Sequence, residues 1–82
     1  MITQSVRIGT QEVVITPAEA EDGSFVASVR GGRHADETFD PADWTDARVR
    51  LEAARRICEA FAITRNNQNL TKVSNLIDGA MG

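Results

Sequence analysis

From Asp40 to Ile63 the chain reads DPADWTDARVRLEAARRICEAFAI, and the fold turns on this stretch. Trp44, Ala47, Leu51, Ala54, Cys58 and Phe61 fall alternately three and four residues apart, which puts them on one face of an α-helix. Val49, Ala53, Ile57 and Ala60 widen that stripe, so the predicted helix lies on a sheet rather than in a narrow two-stranded seam. Asp40 suits the N-cap and Pro41 the first helical position, while Asp43 stands where its carboxylate can reach back to the cap. The polar face offers Asp46–Arg50, Arg48–Glu52, Glu52–Arg56 and Arg55–Glu59 at four-residue spacing. Such pairs support an exposed helix by about 0.2–0.5 kcal/mol each.

Downstream, Asn66-Asn67-Gln68-Asn69 interrupts the pattern. Leu70, Val73, Leu76 and Ile77 then mark a short second helix, with Asn69 as its cap and Gly79 as its stop. Upstream lie two hairpins. In the first, Gly9-Thr10 is a Gly-first pair suited to a type II′ turn. Pairing Ile8 with Gln11 puts Ile2, Val6, Ile8, Val13 and Ile15 on one face, sets Arg7 opposite Glu12, and leaves Val14 outside. Pro17 ends the second strand, and Ala18 to Gly23 is an acidic connection. The second hairpin comprises Ser24–Arg30 and His34–Phe39. A three-residue loop, Gly31-Gly32-Arg33, pairs Phe25 with Phe39 and Val29 with Ala35, whereas a two-residue loop would mix apolar and polar side chains on one face. Glu37 then points inward at the sheet edge, where a charge discourages aggregation.

Eighty-two residues make one small domain, hiding about 60–65% of the surface its unfolded chain exposes. The expected class is α+β: an antiparallel sheet of about four strands, one long helix on a face, and a short C-terminal helix. At 41% hydrophobic and 26% charged the composition is that of a globular chain. A single cysteine forms no internal disulfide, which points to a reducing cytoplasm, and Cys58 falls on the apolar stripe as a buried, inert thiol. No signal peptide is evident, and Ala60-Phe61-Ala62-Ile63, the longest apolar run, is far too short to span a membrane.

The net charge of −3 is unevenly distributed. Between Glu12 and Asp46 nine acids (Glu12, Glu19, Glu21, Asp22, Asp36, Glu37, Asp40, Asp43 and Asp46) face only Arg30 and Arg33, a net of −7. From Ala47 onward the balance is +3. The acidic half disfavours direct nucleic-acid binding and favours a basic protein partner. Glu19, Glu21, Asp22, Asp36, Glu37, Asp40, Asp43 and Asp46 are therefore the candidate partner-binding residues, carboxylates that would meet Arg and Lys in place of phosphates. A blander reading is that Asp40 and Asp43 oppose a helix dipole.

Other chemistry finds little purchase. His34, Asp36 and Asp40 lack the multiple His or Cys ligands of a structural zinc site, so no metal or cofactor is expected. The acidic run lacks the pattern of a calcium loop. The arginines of the long helix are interleaved with acids and have no aromatic side chains beside them on which bases could stack. There is no Gly-x-Ser-x-Gly elbow and no phosphate-binding loop, and the expectation is a protein that is not an enzyme.

The run Glu21-Asp22-Gly23-Ser24-Phe25-Val26-Ala27-Ser28-Val29, followed by Asp36-Glu37-Thr38 and a helix rich in Ala and Glu, resembles the HicB antitoxin domain across roughly residues 12–62. That resemblance implies a small sheet-and-helix domain that masks a basic RNase toxin. Here Gly31-Gly32-Arg33 replaces the family's Pro- and Gly-containing stretch, and the tail after Ile63 is shorter than the family's usual DNA-binding segment. The overall character, a small acidic domain with hairpins and a long helix, is similar to many phage-encoded anti-CRISPR proteins, which share no motif. This second resemblance leads, because it accounts for a chain without an effector module. It implies a stoichiometric inhibitor that binds a CRISPR effector complex and blocks its DNA-receiving surface in the cytoplasm of a bacterial host. A phage structural or assembly protein is a third expectation.

Overall fold

The computed structural model describes residues 1–82 and has the expected α+β architecture. Strands β1 (Gln4–Ile8), β2 (Gln11–Pro17), β3 (Phe25–Arg30) and β4 (Glu37–Phe39) form one antiparallel sheet in the order β1-β2-β3-β4. Helices α1 (Ala47–Ala60) and α2 (Asn67–Met81) share one face of it. A single cluster of 19 buried residues joins both helices to the sheet.

The first hairpin has the register its hydrophobic alternation demands: Ile8 pairs with Gln11 and Arg7 with Glu12. Gly9 sits at φ +63 with Thr10 outside the positive-φ region, as a type II′ turn requires. Val13 and Ile15 are fully buried on the inner face. Ile2 is not: it precedes β1 and is 63% exposed, because the N–H of Ile2 is drawn to the Ala80 carbonyl (3.1 Å) as the chain bends towards α2. Val14 faces outward but is only 4% exposed, shielded on the central strand between Ser5 and Ser28.

In the second hairpin Phe25 pairs with Phe39, their rings stacked at 4.7 Å, so that part of the register reading holds. The three-residue loop does not form. Pairing stops at Ala27–Glu37, Val29 stays bonded to Val13 of β2, and residues 31–36 make a longer connection. Within that connection the His34 ring lies 5.9 Å from the Phe61 ring of the core. At Gly31 (φ +90) a Cβ would lie 2.9 Å from the Thr10 carbonyl, so the connection presses against the first turn. Glu37 does point to the inner side at the edge, where its carboxylate meets Arg56 of α1 at 3.7 Å.

The long helix is shorter than the Asp40–Ile63 stretch. It begins after Asp46, whose side chain accepts from the Arg48 N–H at 2.8 Å, and Asp40 is not the cap. Asp43 instead accepts from the N–H and hydroxyl of Thr45, and the Asp46 N–H bonds the Asp43 carbonyl at 3.1 Å. This local turn competes with helix and wins. At the other end Ile63 N–H bonds Cys58 O (2.8 Å) and Ala62 N–H bonds Glu59 O (3.4 Å), a Schellman closure with Ala62 at φ +55.

Within α1 the buried side chains are Ala53, Ala54, Ile57 and Cys58, whereas Leu51 is half-buried and Ala47 exposed. Helix α2 covers β1 and β2, so α1 must face both its neighbouring helix and β4. The second helix is not short. Asn66 caps it by accepting from the Asn69 N–H (2.8 Å), while the Asn69 amide donates to Thr64 O (2.9 Å). Gly79 lies inside it rather than ending it, since Ala80 and Met81 continue into the core. A Cβ at Gly79 would stand 2.7 Å from Gln4 Oε1, so glycine here admits the β1 side chain that donates to the Gly79 carbonyl at 3.1 Å.

None of the four expected ion pairs along α1 forms. Glu52 meets Arg55 (3.5 Å), Glu59 meets Arg65 (3.8 Å), and Arg50 turns to the Trp44 carbonyl (2.8 Å) and Asp78 (3.9 Å). Tertiary partners take Arg50 and Arg56, whereas Glu52 finds its partner three residues on along its own helix.

Candidate functional site

The ladder Pro17–Phe25–Phe39 marks one end of the sheet, and the two connections at residues 18–24 and 40–46 both leave from it. Trp44 ties them together by donating its indole N–H to the Gly23 carbonyl. A Cβ on Gly23 (φ +94) would stand 3.7 Å from Pro41 and from the Ala42 carbonyl. Six of the eight candidate acids are thereby gathered at this end: Glu19, Glu21 and Asp22 from one connection, Asp40, Asp43 and Asp46 from the other.

None of these six forms an ion pair; the molecule's ion pairs use Glu12, Glu37, Glu52, Glu59 and Asp78. Hydrogen bonds from the Ser24 hydroxyl and N–H hold the Asp22 carboxyl below its ordinary value, and those from Thr45 do the same for Asp43. Both are thus held ionised. Glu19, Glu21 and Asp40 are exposed, with no hydrogen bond to their side chains.

The remaining two candidates separate from this group. Asp36 lies beyond the other end of β4, four residues from Asp40 or roughly 13 Å along an extended chain. Glu37 is engaged by Arg56. His34, Asp36 and Asp40 are not arranged as ligands, and no group of three His, Cys, Asp or Glu side chains could hold a metal ion. Cys58 is fully buried, and burial pushes its thiol up from the ordinary value.

Beside the acidic end lies a feature the sequence reading missed, an open groove of about 340 Å³ between β4 and the start of α1. Phe39, Trp44 and Ala53 form its floor, Val49 one wall, and Arg48, Glu52 and Arg56 its charged rim. The Arg56 guanidinium stands 4.3 Å over the Phe39 ring, a cation–π contact. In sequence Phe39 and Trp44 read simply as core; the depression above them runs along α1 from Arg48 to Arg56.

No helix is long and apolar enough to cross a membrane. Comparison of the chain with protein-family models, curated proteins and solved structures finds no match.

Proposed function

We propose that this is a non-enzymatic binding protein, a phage or prophage inhibitor of the anti-CRISPR kind acting in the cytoplasm of a bacterial host. In this reading its acidic end docks on the basic surface with which a CRISPR effector complex receives target DNA. The observation that carries the proposal is the group of six carboxylates from two connections with no cation paired to any of them. Uncompensated charge of one sign speeds encounter with an oppositely charged surface, and it competes with phosphates for the same arginines and lysines. The adjoining groove supplies what charge alone lacks, an apolar recess for an anchoring side chain.

The test is competition on a purified DNA-recognising effector complex, with this protein added before target DNA. Loss of DNA binding is expected at stoichiometric protein, and association slows as salt is raised because the steering is screened. Glu19, Glu21 and Asp40 are exposed and make no hydrogen bond or ion pair through their side chains, so reversing all three to Lys weakens binding while leaving the urea melt nearly unchanged. Normal DNA loading at saturating protein removes the occlusion mechanism. Tight binding to a small basic RNase, with no effector bound, transfers the reading to an antitoxin.

A further inference from the structure

The two edges of the sheet are treated differently. Strand β4 is three residues long, carries the inward charge of Glu37, and runs within two residues into Pro41. Short length, an inward charge and a flanking proline are the devices that stop an edge from pairing with another chain. Strand β1 has none of them: Gln4-Ser5-Val6-Arg7-Ile8 is regular, free of proline, and paired with β2 in continuous register.

The polarity of its backbone follows from the turn. A two-residue loop closes on a hydrogen-bonded pair, here Ile8–Gln11, so Val6 and Gln4 also bond to β2 while Ser5 and Arg7 point their N–H and C=O groups away from it. Neither residue appears in any backbone hydrogen bond outside the strand ladder, and both are exposed. The only exposed large hydrophobic residues in the molecule, Met1 (48%) and Ile2 (63%), lead directly into this edge.

We infer that β1 pairs antiparallel with β1 of a second copy of this chain about a two-fold axis at Val6, making one eight-stranded sheet. The register is self-complementary. With Val6 opposite Val6, each Ser5 faces Arg7 of the other copy, and both members of that pair are residues whose backbone groups point outward. Four backbone hydrogen bonds form. The charges also fit: along the open face the row reads Arg30, Glu12, Arg7, then Ser5 of the second copy, with Glu12 already bonded to Arg30 at 3.1 Å and no like charges meeting at the seam. Antiparallel pairing sends the two acidic ends to opposite extremes of the double sheet, whereas a parallel seam would bring them to the same side.

The assembly is read by sedimentation or light scattering over a concentration series, in which the mass rises from 8.9 kDa towards twice that value. Ser5→Pro removes an outward N–H without touching the β1–β2 bonds, and it should raise the dimer dissociation constant at least tenfold (about 1.4 kcal/mol) with helical circular dichroism unchanged. Independently of that variant, Val6→Cys should cross-link to itself under mild oxidation, since Cα atoms of a non-hydrogen-bonded pair lie about 4.5 Å apart. Arg7→Cys should not, because its opposite is Ser5. A chain that stays monomeric throughout, with no Val6→Cys cross-link, overturns the inference. So does a dimer that cross-links through Arg7→Cys instead, or one indifferent to a folded Ser5→Pro variant.

Discussion

Ala62 occupies the left-handed position that ends α1, at φ +55, where a Cβ crowds its own carbonyl and glycine is the usual occupant. Ala62→Gly should therefore stabilise the protein by up to about 1 kcal/mol, the strain relieved outweighing the extra freedom of the unfolded chain. An unchanged or lower urea midpoint would mean the closure is not strained. Ile57 and Leu51 divide the apolar stripe of the same helix. Ile57 is fully buried, so Ile57→Ala should cost about 2–5 kcal/mol. Leu51 only borders the core, and Leu51→Ala should cost less than half as much in the same melts. Equal losses would place the helix in a different rotation.

At the scale of elements, α1 and α2 each start where a side chain takes up an orphan N–H, Asp46 and Asn66 respectively. Asp46→Ala should cost about 0.5–2 kcal/mol. Asp40→Ala, six residues earlier, should stay within about 0.5 kcal/mol of the native protein. The reverse ranking would restore the longer helix that the Asp-Pro pair advertises. Glu37 links two elements: its register on β4 follows from Phe25–Phe39 pairing, and its inward direction then delivers it to Arg56. A residue that looks awkward within one strand becomes ordinary once a second layer is present.

For the whole molecule, the acidic end is an assembly of two connections held by the Trp44 indole and by Asp22 and Asp43, each braced by a hydroxyl and an N–H. Hydrogen bonds from Ser24 and Thr45 hold both carboxyls below the ordinary aspartate range in the folded protein. A depressed acid contributes stability above its unfolded pKa and loses it as pH falls through the folded value. The fluorescence of Trp44, the one tryptophan, should thus hold steady as pH falls to the ordinary aspartate range and change only below it. A transition centred at or above the ordinary aspartate range would show that these bonds do not secure the end. The charge itself acts at this scale too, since six unpaired carboxylates at one extreme form a field that single pairs do not.

Local physics made much of this protein legible in its sequence. Alternation with period two, a Gly-first turn and the cost of a one-residue slip suffice for β1–β2 and for Phe25 beside Phe39, because register mistakes there expose every apolar side chain. Period 3.6 suffices for the existence of both helices. Tertiary contacts decided the rest. Asp43 with Thr45, and Trp44 with Gly23, shortened α1 at its start, because a side chain satisfied by a turn or by a distant carbonyl leaves the helix without a competitor's advantage. Gly79 continues a helix it was expected to end, since the space above Gln4 suits a residue without a Cβ. The acids were countable from the sequence, but which six share one end was not: charge is carried by residues, whereas a surface is set by how the sheet brings residues 18–24 and 40–46 together.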